Sequence, residues 1–228
     1  MQNSTRFVNL GLWIFLAMTF IACSEKPENK YDSQRPVTMS EKKPVILFLG
    51  DSLTAGYGLA QQESYPALLQ KKFDEQKIPL QAINGGRSGD TTAGGLERLD
   101  WYLKSNMQLK HVVISLGSND AMRAVPLKDT ETNLKKIIAK IKNNSQAKIY
   151  LIQLETFPNL GSRYGDEFSE VFKKVAKSEN VVLLPFFLNN VASIDNLNQA
   201  DGIHPNAEGT QIVANNLYNS LHKYLIEN

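Results

Sequence analysis

The stretch Val45 to Gly58 reads V-I-L-F-L-G-D-S-L-T-A-G-Y-G, and the fold follows from how it begins and where it stops. Five consecutive apolar residues, two of them β-branched, predict a strand buried on both faces, as in a parallel sheet covered by helices. The run ends abruptly at Gly50-Asp51-Ser52-Leu53, so Ser52 sits at the carboxyl end of that strand. In an open parallel sheet this edge is where ligands bind, because the loops leaving it diverge where the strand order reverses. Further on, Tyr65, Leu68, Leu69 and Phe73 recur at helical spacing, with Ser64 or Tyr65 as cap and Pro66 in the first turn. Ser52 therefore opens a strand-loop-helix unit.

The remaining chain repeats the alternation. Ile78 to Ile83 predicts a second strand, ended by Asn84-Gly85-Gly86, and Leu96, Leu99 and Leu103 mark a helix. Val112 to Leu116 is a third buried strand, closed by Gly117-Ser118-Asn119-Asp120. Leu134, Ile137, Ile138 and Ile141 form one face of a helix whose lysines lie largely elsewhere. Ile149 to Leu154 and Val181 to Leu184 supply strands four and five, with a helical face of Phe168, Val171, Phe172 and Val175 between them. A last helix carries Ile212, Val213, Leu217, Leu221 and Leu225. Such alternation implies right-handed βαβ units and an α/β fold: a three-layer α/β/α, flavodoxin-like sandwich around a five-stranded parallel sheet. Ser52, Gly89 and Asn119 then follow strands one, two and three and meet at one edge.

A serine hydroxyl is a weak nucleophile until a base takes its proton, and histidine suits that task near neutral pH. Of the three histidines, His111 opens a buried strand and His222 lies in the terminal helix, where structural or solvated roles are simpler. His204 lies in an irregular Gly/Pro loop just before a helix and can reach the sheet edge. Asp201, three residues earlier and followed by Gly202, can face the same way and hold the second imidazole nitrogen. A D-x-x-H spacing also occurs in metal half-sites, but no further His/Cys cluster exists, so no metal and no cofactor is expected. Asp51, Asp90 and Asp120 each neighbour a candidate site residue; we read them as short carboxylates accepting loop N–H groups rather than as a Mg²⁺ cluster.

These blocks, G-D-S-L at Ser52, S-G-D-T-T at Gly89, G-S-N-D at Asn119 and D-G-I-H-P at Asp201 and His204, resemble in order and spacing those of the SGNH (GDSL) hydrolases. The resemblance implies a Ser52-His204-Asp201 triad and an oxyanion hole formed by the N–H groups of Ser52 and Gly89 and the amide of Asn119. Further segments, I-N-G-G-R-S-G-D-T-T-A-G-G-L-E-R-L among them, look like the thioesterase I/protease I/lysophospholipase (arylesterase) branch. That branch implies hydrolysis of medium- or long-chain acyl esters, thioesters or lysolipids, and substrate-contacting loops at Asp120 to Pro126 and Glu155 to Leu160. E-T-F-P at Glu155 to Pro158 departs from those relatives, whose segment is more basic. Two other readings are a carbohydrate O-acetyl esterase and a non-catalytic lipid-anchored binding protein, although a P-loop lysine and a G-x-G-x-x-G spacing are both missing.

The 228 residues suit one domain, at 45–228, plus an N-terminal extension. A net charge of +2, without like-charge blocks, makes no case for nucleic acid; a monomer is expected. Residues 1 to 22 carry one charge, Arg6, and then a mostly apolar run from Phe7 to Ala22, short for a spanning helix and fitting a signal-peptide core. F-I-A-C, ending at the sole cysteine, Cys23, resembles the lipobox of bacterial lipoproteins, which implies lipidation, a periplasm-facing membrane anchor and, with Ser24 next, the outer membrane. The polar segment that follows, to Pro44, reads as a disordered tether, so 23–44 would link anchor to domain.

Overall fold

A computed structural model describes residues 43–226. The expected signal peptide, the lipidation site at Cys23 and nearly all of the tether lie outside these residues. β1 (Val45–Gly50) is buried along its whole length. It is flanked in parallel by β2 (Gln81–Gly86) and β3 (Leu109–Ser115), and β3 is followed outward by β4 (Lys148–Ile152) and β5 (Val182–Leu184). The order β2-β1-β3-β4-β5 reverses direction at β1, so a crevice opens at the carboxyl ends of β1 and β3.

The crossover helices cover both faces. α2 (Tyr65–Glu75) packs against the C-terminal α7 (Ala207–Ile226), while α3 (Thr92–Leu103), α5 (Leu127–Asn144) and α6 (Ser162–Ser178) pack in a row. Their buried faces are the apolar stripes visible in the sequence: Leu134, Ile137, Ile138 and Ile141 in α5, and Phe168, Val171, Phe172 and Val175 in α6. Among the described residues no helix is long and apolar enough to cross a membrane.

Several element boundaries differ from expectation. The second strand begins at Gln81 rather than Ile78 and takes in Asn84-Gly85-Gly86. Ile78 and Leu80 are buried, but they fill the connection from α2, where the Ile78 N–H bonds the Phe73 carbonyl. β3 starts at Leu109, so His111 lies inside the strand, and β4 stops at Ile152. The segment after Gly50 is not only a loop: Ser52–Ala55 forms a one-turn helix, α1, and a last short helix, α4 (Ser118–Met122), follows β3.

α1 is held from below. Thr54 Oγ1 and the Tyr65 hydroxyl hydrogen-bond at 2.8 Å, fully buried, and the Tyr65 ring is wedged edge-on between Phe48 and Phe187. At the end of β2, Gly86 lies so close to α1 that a Cβ there would fall 2.1 Å from the Ala55 nitrogen. Backbone cannot yield as a flexible side chain can, so any side chain at position 86 must lift α1 from the sheet. We expect Gly86→Ala to lose about 1–3 kcal/mol of stability in thermal melts, the usual cost of overpacking. The wild-type melting temperature would overturn this contact as a constraint.

Candidate active site

Ser52 is the first residue of α1, and the preceding Asp51 caps it, Oδ1 accepting the Leu53 N–H at 3.1 Å. Gly56, at φ +78°, ends the helix in a left-handed turn and sends the chain toward Tyr57.

The D-G-I-H segment is the tip of a tight loop. The Gln199 N–H bonds the His204 carbonyl at 2.7 Å, and Asn198 pairs with Pro205 in an antiparallel bridge, closing the base. Gly202, at φ +69°, makes the turn, and Asp201 Oδ1 accepts the N–H groups of Ile203 and His204 at 2.9 and 3.0 Å. Asp201 Oδ2 is thereby left 2.7 Å from His204 Nδ1, and His204 Nε2 lies 2.8 Å from Ser52 Oγ. Donated hydrogen bonds, from the backbone and imidazole of His204 and from Ile203, hold Asp201 down at about 2. An ionised Asp201 accepts the Nδ1 proton, so Nε2 is free to accept from the serine hydroxyl.

Two residues that the motif reading left without a role complete this arrangement. The Gln199 side chain donates to the carbonyls of Tyr57 (2.7 Å) and Pro205 (3.0 Å), tying the histidine loop to the serine loop. The Tyr57 ring lies against the His204 imidazole, with centroids 4.7 Å apart. Tyr57 lay in the opening stretch of sequence, but a tyrosine in a glycine turn carries no signal of its own.

Asn119, in α4, is buried, and its amide donates to Asp51 Oδ2 at 3.4 Å. Beside it, Asp120 accepts the Thr92 N–H at 2.8 Å and the hydroxyls of Thr92 and Thr130 at 2.5 and 3.2 Å, so α4 is fastened to α3 and α5. Gly89, at φ +80°, does not line the main cavity; its carbonyl accepts from Arg123 Nη2 at 2.8 Å, which links it to the end of α4. The loop-capping role expected of the three aspartates fits Asp51 and Asp120. Asp90 instead pairs with Arg98 Nε at 2.5 Å. Among the described residues no group of three or more His, Cys, Asp or Glu could hold a metal ion. His111 bonds the Tyr150 hydroxyl at 3.1 Å inside the sheet, where burial pushes its pKa down to about 4, and His222 packs on Tyr218.

Ser52, Asn119 and His204 open into a cavity of about 610 Å³, whose far wall comes from the loops after β4 and β5, including Glu155, Phe157, Phe186 and Leu188. The sequence marked the first loop; the second is an apolar Pro185-Phe186 turn.

The chain matches the GDSL-like Lipase/Acylhydrolase family over residues 48–212. It is 38% identical over 186 residues to an arylesterase of Vibrio mimicus, covering 82% of this chain and 92% of the relative. It is also 38% identical over 169 residues to thioesterase 1/protease 1/lysophospholipase L1 of Escherichia coli K12, covering 74% of this chain and 79% of that one. A crystal structure of the psychrotrophic esterase EstA from Pseudoalteromonas sp., inhibited by monoethylphosphonate, superposes with a TM-score of 0.75 at 36% identity, covering 79% of this chain and 98% of that one.

Asp51 differs from Asp201 in its surroundings. Burial pushes its pKa up to about 6, against the pull of the Leu53 N–H, His204 and the Asn119 amide. The unfolded carboxyl titrates near 3.8, so the folded chain holds the proton more tightly; this stabilisation is full below pH 3.8 and is lost as the pH rises through about 6. At pH 8 the fold carries a buried charge that an amide would not. We expect Asp51→Asn to melt a few degrees above the wild type at pH 8, for up to about 3 kcal/mol, and to converge with it toward pH 4. A deficit at both pH values would show that its hydrogen bonds outweigh the cost of burial.

Proposed function

Because the chain belongs to the GDSL-like lipase/acylhydrolase family, the SGNH hydrolases, we propose that it is a serine esterase cleaving acyl esters and thioesters through an acyl-enzyme on Ser52. The observation that carries this is the hydrogen-bond chain from Asp201 through His204 to Ser52 at the mouth of the cavity. In the proposed reaction His204 Nε2 takes the hydroxyl proton as Ser52 Oγ bonds to the acyl carbon. The oxyanion accepts hydrogen bonds from the N–H groups of Ser52 and Gly89 and from the Asn119 amide. His204 then passes its proton to the departing alcohol or thiol, and water repeats the sequence to release the acid, with ionised Asp201 holding the imidazolium throughout. The arylesterase and lysophospholipase names of the relatives support aryl esters and lysolipids as substrates. Met122, Leu188 and Ile203 in the lining support an acyl chain.

We also propose that the enzyme is an exported lipoprotein, cleaved before Cys23 and held at the periplasmic side of the outer membrane. The apolar run Phe7 to Ala22 and the F-I-A-C sequence support this. One acyl chain binds a bilayer only marginally, so stable anchoring needs two or more on the cysteine.

Ser52→Ala and His204→Ala should each abolish hydrolysis of p-nitrophenyl esters, and the double variant should be little worse than either, since nucleophile and base act as a unit. Asn119→Ala should lower kcat about a hundredfold with little change in KM. Most of the activity surviving in Ser52→Ala would end the assignment. For the anchor, cells fed radioactive palmitate should label the wild type and not Cys23→Ala; label on the variant would refute it.

A further inference from the structure

The cavity receives whatever an ester carries beyond its carbonyl, so the charge of its lining sorts substrates whichever end enters. Among the described residues that lining holds two carboxylates, Asp51 and Glu155, and no lysine or arginine. Asp51 is buried and already accepts from Leu53 and Asn119. Glu155 is exposed to the cavity and, among the described residues, has neither an ion-pair nor a hydrogen-bond partner. Phe157 and Phe186, both half-buried, line the same space. A second groove shares Glu155, Thr156 and Phe157 and runs on to Asp166, again with no lysine or arginine in its lining. Arg123 adjoins Met122 of the cavity wall but is outside the lining and donates to the Gly89 carbonyl. With 25 basic and 23 acidic residues in the chain, this one-sided lining is a local property and not one of composition.

A carboxylate that has no partner among the described residues and lines one cavity with two aromatic rings makes an environment that attracts a weakly hydrated cation, through charge and through the negative faces of the rings. The same carboxylate, with no lysine or arginine in the wall, repels phosphate and other anions. We propose that Glu155, with Phe157 and Phe186, is a cation-selecting subsite, so that this enzyme favours esters bearing a quaternary ammonium and discriminates against polyanionic thioesters. This rests on the esterase reading and names the substrate class of that same site.

The test compares kcat/KM for butyrylcholine with its uncharged carbon isostere, neohexyl butyrate, and for butyryl-coenzyme A with the neutral butyryl-N-acetylcysteamine. In the wild type the cationic ester should be favoured by about fivefold, the size of an exposed cation–aromatic contact, and the coenzyme A thioester disfavoured. Glu155→Gln should lower the choline ratio while leaving the aromatic part of the preference, and Glu155→Lys should invert both preferences. A wild-type choline ratio of one or less, or ratios unmoved by Glu155→Lys, would overturn the subsite. If even the neutral esters are not hydrolysed, it is the esterase reading that fails. Calorimetric binding of phenyltrimethylammonium, expected for the wild type and lost in Glu155→Lys, then still decides the subsite: no binding to the wild type, or equal binding to both, refutes it.

Discussion

The 2.8 Å hydrogen bond between Ser52 Oγ and His204 Nε2 joins groups 152 positions apart, and most of the architecture can be understood as what holds that distance. Neither residue belongs to a long element. Ser52 starts a one-turn helix, and His204 sits on a loop tip. Such short pieces have no stability of their own, since a single helical turn fixes many dihedral angles for few hydrogen bonds. Their positions are borrowed. α1 is seated on Gly86 of β2 and bonded through Thr54 to a tyrosine wedged in the core. The histidine loop is closed at its base and fastened across to Tyr57 by Gln199. The parallel sheet contributes the crevice, and these small contacts contribute the tenths of an ångström that the proposed proton transfer requires.

The two carboxylates nearest the reacting atoms are set apart by environment. Asp201 is exposed and surrounded by donors, so it stays ionised and is suited to hold an imidazolium. Asp51 is buried and its proton affinity is raised, yet its oxygens orient both the serine turn and the Asn119 amide. A buried carboxyl of raised proton affinity beside the proposed nucleophile is a common signature of function, because unfavourable burial persists where geometry is needed.

Much of this was legible in the sequence because the relevant signals are local. The buried run before Gly50 and the stripes of α5 and α6 gave strands and helices directly, and G-D-S-L, S-N-D and D-G-I-H placed Ser52, Asn119, Asp201 and His204 at one edge. What escaped depends on contacts made across the fold. α1 is too short to display a period. β2 ends in Asn-Gly-Gly, poor strand formers that are kept in register by β1 and by the close approach of α1. Gln199 is an ordinary polar residue until its partners, the carbonyls of Tyr57 and Pro205, are known. The charge of the cavity lining, likewise, is the sum of loops that are adjacent only after folding.

The Asp120 network has a consequence for how such an enzyme can change. One wall of the cavity, carrying Asn119, is stapled by Asp120 to Thr92 at the start of α3 and Thr130 in α5, and Asn133 donates to Thr92 in turn. The opposite wall, from Glu155 to Phe157 and from Pro185 to Ser193, is built largely of loops, with Glu155 unpartnered among the described residues. Substitutions on the first wall are transmitted into the packing of two long helices. Those on the second are absorbed where they occur. On the proposed reading, reactivity and substrate range are mechanically separable, and a lineage could drift from one ester class to another along the loop wall while the stapled wall holds Asn119 in place.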